Sequence, residues 1–420
     1  MKLKSILLGL GLIPSLISPI LFAASEATSN ITAQLQNVID DYYTKYNQKE
    51  KFTAIAASVL IPQNQTNYQK EIKTVVHGTM GYPPLSQPIT PSNLFDIGSI
   101  TKSFTALIIL QLQTENKLSL DDHLGTWLPQ YPNWKNVTLR QLLNMTSRIP
   151  NYSADDEFSK KMESHLDAVW TDEELLKYAH PEKPLETKKG NLFEYSNSNY
   201  ILAALVIEKV TNDTFANQLK LRILNSQNGL NDMFYLAGPD GQSLGKSIEA
   251  RRVHGYFYDE TENKLIDTLS NDLSWAGAAG AIVGTTEDVA RWVQQLYHGT
   301  LIKPIFRERI LAELESVVSM KTGKTIPTVT ENDPSGFGLG VGYLYDKDLK
   351  QRFWVYKGST LGFRVMYFWQ PCNNVTTVVA LNGKGGEGNP QSKLGDEIIK
   401  ANRDLYKVIL QNYPELQCMS

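Results

Sequence analysis

Cysteine is nearly missing from this chain: two thiols, Cys372 and Cys418, in 420 residues. That excludes a disulfide-rich scaffold, and their spacing suits no metal site. A single bridge tying the C-terminal tail to the body is the arrangement the pair allows. Histidine is sparse too. His77, His123, His165, His180, His254 and His298 are scattered, with no His-x-x-x-His pair and no Cys/His cluster, so neither a metal nor another cofactor is implied. No basic block stands out, and the formal net charge is −3, which points away from nucleic acid and from anionic membrane surfaces. Internal repeats and low-complexity tracts are absent. Beyond residue 22 no apolar run is long enough to span a membrane.

What is present begins at the N-terminus. Met1-Lys2-Leu3-Lys4 is a short cationic stretch, residues 5–22 are almost wholly apolar, and small residues come next at Ala23, Ala24 and Ser25. This reads as a secretory signal peptide over residues 1–24, cleaved between Ala24 and Ala27, and so as a periplasmic or secreted protein with no membrane span after cleavage. An uncleaved anchor is the other reading of the same run; Pro14 and Pro19 inside it favour cleavage. No cysteine lies near the cleavage region, which argues against a lipoprotein.

Periodicity then orders the chain. Residues 30–46 carry a helical stripe, Ile31, Leu35, Val38, Ile39 and Tyr42. Residues 52–61 and 72–78 read as strands joined by the polar turn Gln63-Asn64-Gln65, and a Gly- and Pro-rich loop succeeds them at 81–91. Helical signals dominate next. Thr138-Leu139-Arg140-Gln141 matches a capping box, and residues 200–210 form an apolar helix after a polar turn. Thr285 with Asp288 opens a helix whose stripe is Val289, Trp292, Val293 and Leu296. From 338 the chain changes to Val-, Tyr- and Phe-rich runs, 338–345, 353–358, 363–369 and 375–381, expected as consecutive antiparallel strands. A last helix is expected over 393–410, with Leu394, Ile398, Leu405 and Ile409 inward. Together these predict an α+β fold. One antiparallel β-sheet is built from N- and C-terminal segments, 30–115 and 275–418, and flanked by helices; an all-helical region, 116–274, is inserted, with the site at the junction.

The chemistry centres on FDIGSITKSFTA, residues 95–106, which sets Ser99 and Lys102 on one face at the start of a helix. A serine there can act as a nucleophile, with a lysine of lowered pKa taking its proton. The only other Ser-x-x-Lys is Ser243–Lys246, inside Gly241-Gln242-Ser243-Leu244-Gly245, which also matches a G-x-S-x-G nucleophile elbow. An elbow needs a strong strand before it and a packed helix after it. Here Ala237-Gly238-Pro239-Asp240 interrupts the short run before Ser243, and the residues after it, 246–252, are polar; the other reading is an exposed Gly/Pro loop. Ser99 finds support downstream in Tyr195-Ser196-Asn197. The phenol can be held as phenolate beside lysine and act as base, then as acid, and the Asn197 amide can orient substrate and Lys102.

FDIGSITKSFTA, LSLDD, VTLRQLLNMTSRIP, YSNSNY and AGAAGAIVGTTEDVARW, in that order, resemble the class C β-lactamase and D-Ala-D-Ala carboxypeptidase group of serine hydrolases, over residues 52–381. The resemblance implies a β-lactamase/transpeptidase-like fold, Ser99 as acylated nucleophile, Lys102 as its activating partner, Tyr195 as general acid/base and Asn197 as a substrate-binding amide. It implies a pocket strand with Tyr356-Lys357-Gly358 in the third motif, where Gly358 admits substrate backbone and the Ser359 amide joins that of Ser99 in an oxyanion hole. Two departures matter. Tyr356 stands where the group has Lys or His, so the positive charge that meets a substrate carboxylate is missing; Lys357 should point the other way, and Arg364 is the remaining candidate for that charge. Arg148 in MTSRIP stands where Gly is usual, and its plain reading is an exposed turn residue. There is no Glu-x-x-Leu-Asn, so deacylation would rest on Tyr195 and Lys102. The expected activity is hydrolysis of peptidoglycan-type peptides or β-lactams through an acyl-enzyme. A carboxylesterase on the same scaffold is the alternative that Tyr356 favours, and a non-catalytic binding protein is the third reading.

Overall fold

Strand β1 (Ala54–Pro62) is buried almost throughout, and its alternation explains why both of its faces are apolar. Ile55, Ala57, Val59 and Ile61 enter one core, whereas Ala54, Ala56 and Leu60 enter another on the opposite side. The computed structural model describes residues 19–62, 70–186, 190–387, 389 and 391–418. The expected Gln63-Asn64-Gln65 turn and residues 1–18 of the expected signal segment lie outside them.

The remaining strands, in chain order, are β2 (Lys70–Gly78), β3 (Phe95–Asp96), β4 (Met233–Tyr235), β5 (Tyr256–Asp259), β6 (Lys264–Asp267), β7 (Ile282–Gly284), β8 (Val318–Ser319), β9 (Ser335–Phe337), β10 (Gly342–Asp346), β11 (Gln351–Ser359), β12 (Arg364–Trp369) and β13 (Thr376–Leu381). Eight of them form an antiparallel sheet ordered β2-β1-β13-β12-β11-β10-β9-β8, so the first strands close onto the last, with Ala56 opposite Ala380. Asn382 locks that closure, its Oδ1 accepting from Thr53 N at 2.9 Å and Ala54 N at 2.7 Å. β3, β7 and β4 make a small second sheet, and β5–β6 is a separate hairpin.

Helix α1 (Pro19–Glu50) and the C-terminal helix Ile398–Asn412 cover one face of the large sheet. The helix Thr286–Tyr297 packs on β1 and β13 from the other side, and beside it helix α2 (Thr101–Thr114) is buried on nearly every side although half of its residues are polar. Phe104 of α2 stacks on Trp292 of the helix Thr286–Tyr297 with ring centres 3.6 Å apart, a contact worth about 0.5–1.5 kcal/mol beyond area burial. The capping box at Thr138 and the Thr285 cap both form. Residues 116–274 hold most of the helices but also β4 and the β5–β6 hairpin, so this region is not all-helical.

The last helix begins later than its apolar pattern suggests. Instead of 393–410 it runs Ile398–Asn412, because the preceding residues are held in other pairings. Gly395 O accepts from Gly386 N at 3.1 Å, and Asp396 pairs with Lys357 and Arg364. Cys372 and Cys418 are joined, which ties the tail to the β12–β13 turn.

Candidate active site

Ser99 sits on a single 3₁₀ turn, Gly98–Ile100, that feeds directly into α2. The chain reaches that turn only through Gly98, at φ +51° and pressed so close to β11 that a Cβ would fall 2.6 Å from Ser359 N. Gly358 is equally tight, since a Cβ there would lie 1.8 Å from Ile97 O and 3.1 Å from Ser99 N. Two glycines thus let the nucleophile turn and the pocket strand meet backbone to backbone. Thr360 N bonds back to Phe363 O, so the amide of Ser359, one residue earlier, points to the other side of the strand. There β10 has already stopped pairing at Val355, leaving that amide toward Gly98. Ser99 itself is partly open to solvent.

Three side chains converge on this turn. Lys102 Nζ lies 3.0 Å from Ser99 Oγ, and Tyr195 OH donates to the same oxygen at 2.8 Å. Tyr356 OH is 3.3 Å from the Tyr195 hydroxyl. Lys102 is fully buried, and burial pushes its ammonium well below the usual lysine range. Tyr195 is pushed up to about 12, chiefly by burial. These shifts correct the expected phenolate. Burial disfavours charge on both groups, which favours the Lys102 amine over a Tyr195 phenolate as the base beside Ser99. The wire is consistent: Ser99 can donate to the amine lone pair, while Lys102 donates to Ala279 O at 2.8 Å.

That carbonyl carries no signal as a single residue. It comes from AGAAGAIV, whose small side chains allow the helix Gly277–Gly280 to approach α2. Thr105 Oγ1 donates to Ala278 O at 2.8 Å, and Ile282 N donates to Thr101 Oγ1 at 3.2 Å, so the stretch is fastened to α2 along its length. Phe337 of β9 was likewise missed; its ring stands edge-on to Tyr195 and to Tyr356.

Asn197 departs from expectation. Its Nδ2 donates to Ser153 Oγ at 2.8 Å and its backbone N–H to Asn151 Oδ1, so it is fixed by the 151–153 turn rather than by Lys102. Its Oδ1 is buried and has no hydrogen-bond partner among the described residues, which leaves an acceptor for substrate. Tyr356 is buried and its phenol is held well above the usual range, so it remains a neutral hydrogen-bonding group.

Arg364 does not supply the missing charge. It is wholly buried on the far side of the sheet, where Nη1 meets Glu50 Oε2 at 2.9 Å and Asp396 Oδ1 at 3.0 Å. Register explains this, because Arg364 lies opposite Ser359 and shares the side of Lys357, which itself pairs with Asp396 at 2.7 Å. Arg148 adopts φ +66°, the left-handed conformation for which glycine is the ordinary choice. The rival Ser243 lies exposed on the short helix Gly241–Ile248, donating to Asp240 O at 2.9 Å.

Known proteins resemble this chain over most of its length. The Beta-lactamase family model matches residues 70–398. Penicillin-binding protein 4* of Bacillus subtilis is 28% identical over 60% of this chain, and the match spans only 54% of that longer protein. Teichoic acid D-alanine hydrolase of Staphylococcus aureus is 24% identical over 88% of this chain and 81% of its own length. Among solved structures, D-amino acid amidase from Ochrobactrum anthropi superposes with a TM-score of 0.71 at 20% identity, covering 91% of this chain and 99% of that one. D-stereospecific amidohydrolase from Streptomyces gives 0.66 at 22% identity, covering 92% and 98%. A nucleophile turn opening a buried helix, a pocket strand against it and a family match over most of the chain lead to one conclusion: this chain belongs to the beta-lactamase family of serine hydrolases.

Proposed function

We propose that the enzyme is exported and hydrolyses esters or amides of D-amino acids that carry no carboxylate beside the scissile bond. The observation that carries this is Tyr356: the position that would hold a cation is a neutral, buried phenol, while Arg364 and Lys357 are bound to carboxylates across the sheet. A substrate carboxylate there would be desolvated without a counter-charge, which is unfavourable by several kcal/mol in order of magnitude. The names of the relatives, a D-alanine hydrolase and two hydrolases of D-configured substrates, support the same class.

The steps derive from the geometry. Ser99 Oγ attacks the carbonyl carbon as its proton passes to the Lys102 amine, and the developing oxyanion lies between the amides of Ser99 and Ser359. Each such donor contributes roughly 3–4 kcal/mol. Tyr195 hands its proton to the leaving oxygen or nitrogen and recovers one from Lys102. Water then attacks the ester on Ser99, with the same pair moving its proton, and the acid is released.

The test is a substrate panel on the purified protein: D-alanine methyl ester, D-alaninamide, their L forms, a D-Ala-D-Ala peptide and nitrocefin. Turnover of the D-alanine ester or amide at least tenfold above the peptide and nitrocefin is expected. The reverse order would restore the carboxypeptidase or β-lactamase reading, and a protein inert to all of them and to an alkyl fluorophosphonate would be a binding protein. Export is checked separately, by the N-terminal sequence of the protein recovered outside the cytoplasm.

A further inference from the structure

Asp96 is a carboxylate three residues before the nucleophile, 2% exposed, in a place where burial alone would disfavour it. Its Oδ2 accepts from Thr360 Oγ1 at 3.2 Å, and its Oδ1 faces Arg252 Nη2 at 3.4 Å. Arg252 Nη1 is in turn held by Leu269 O at 3.4 Å. Thr360 is also buried, at 4% exposed, and it comes directly after Ser359. The hydrogen bond therefore spans the two segments that carry the amide donors, joining the strand that leads into Ser99 to the end of the strand that carries Ser359.

We propose that Asp96 and Thr360 form a strut that fixes the separation of the Ser99 and Ser359 amides, making both of them positioning residues for the oxyanion hole. This rests on the reading of Ser99 as nucleophile. The backbone contact alone does not set the spacing. Gly98 and Gly358 remove side chains and so permit approach, but they supply no directed bond across the gap. Nor does β-sheet pairing set it, because β11 is laddered to β12 and β3 to β7, and the two ladders belong to different sheets. The Asp96–Thr360 bond is the polar side-chain link between these segments among the described residues. A buried ion pair such as Asp96–Arg252 gives little net stability, so the carboxylate's contribution is chiefly geometric.

The strut predicts a split between binding and rate. In Thr360→Val the shape is kept and the hydroxyl lost, so the acylation rate measured as the p-nitrophenyl acetate burst should fall about tenfold, with KM within twofold and Ser99 still labelled to completion by fluorophosphonate. Thr360→Ser restores the donor and should return the rate to within threefold of the parent enzyme. Asp96→Asn removes the charge yet keeps a bond to Thr360, its Nδ2 donating to Oγ1 while its oxygen faces Arg252, and should also stay within threefold even if its Tm falls through loss of the ion pair. Parental acylation in Thr360→Val, failure of Thr360→Ser to restore a lost rate, or a loss in Asp96→Asn as large as that in Thr360→Val overturns the strut. Should Thr360→Val not fold, Thr360→Ala removes the same hydroxyl and takes its place, with the same loss of about tenfold expected and a parental rate overturning the strut. Hydrolysis that survives Ser99→Ala would instead overturn the nucleophile assignment, and the strut with it.

Discussion

Replacing Gly98 by alanine places a single methyl group against the catalytic backbone, and its effect can be worked out atom by atom. The new Cβ would lie 2.6, 2.7 and 2.9 Å from the N, O and C atoms of Ser359, where ordinary contact begins at 3.4 Å. Ser359 is backbone in a paired strand and cannot rotate away, so the turn and the strand must separate by about 0.8 Å. Holding alanine at φ +51° adds roughly 1–2 kcal/mol of strain. A shift near 1 Å at an oxyanion donor costs about 10²-fold in rate. We therefore expect kcat on D-alanine methyl ester to fall about 100-fold, close to 2.7 kcal/mol of transition-state stabilisation. KM should change less than threefold, because the contact that is lost is one to the oxyanion, which develops only in the transition state. Stopped-flow acylation with parallel thermal unfolding is the assay, and Tm should drop only a few degrees for a chain of this size. Gly98→Ala retaining more than a third of parental kcat would refute the placement of Ser359 in the oxyanion hole.

Three further outcomes are expected. Lys102→Met should lower kcat by about 10²–10⁴-fold, and parental activity should decline as pH falls through the lowered Lys102 pKa, giving an acid limb that Tyr195, protonated up to about 12, does not produce. Because the unfolded chain binds this proton more readily, parental stability rises with pH between the lowered folded pKa and the ordinary 10.5; Lys102→Met should flatten that slope in a pH series of urea melts. Arg364→Met should cost about 3–5 kcal/mol in urea denaturation by leaving the fully buried Glu50 without its cationic partner, while Asp396 keeps Lys357, and an unchanged midpoint would contradict that. Opening the Cys372–Cys418 bridge by Cys418→Ser should cost about 2–4 kcal/mol in the same assay, with no change in kcat because the bridge lies on the face away from Ser99.

Legibility in the sequence tracked length and period. The central strands could be read because both faces are buried and rich in Val, Tyr and Phe, and α2 because residues 104–112 are mostly apolar. Ser99, Lys102 and Tyr195 were readable from spacing and order, and the structure brings them together. Strands of two or three residues, such as β3, β7, β8 and β9, are too short to show alternation, so Phe337 was missed. Ala279 was missed for a different reason: it contributes a carbonyl, which every residue type has. The start of the last helix was misplaced because the apolar Leu394 kept the stripe going, whereas Asp396 is drawn off by Arg364 and Lys357. The same pairing turned Arg364 from a candidate for substrate charge into a brace, a distinction decided by strand parity at one end of β12.

The closure of β1 onto β13 has a consequence in time. The first two strands of the chain have no further strand to pair with until β13 is made, and the Ser359 amide arrives about 260 residues after Ser99. Contacts of this range put the enzyme among slow-folding topologies, in which local helices form early and the large sheet assembles last. Ser99 and Lys102 can be neighbours on a nascent helix from the outset, yet they face water with neither a buried amine nor a second amide. A nascent or clipped chain ending before β11 would therefore hold Ser99 without the Ser359 backbone beside it.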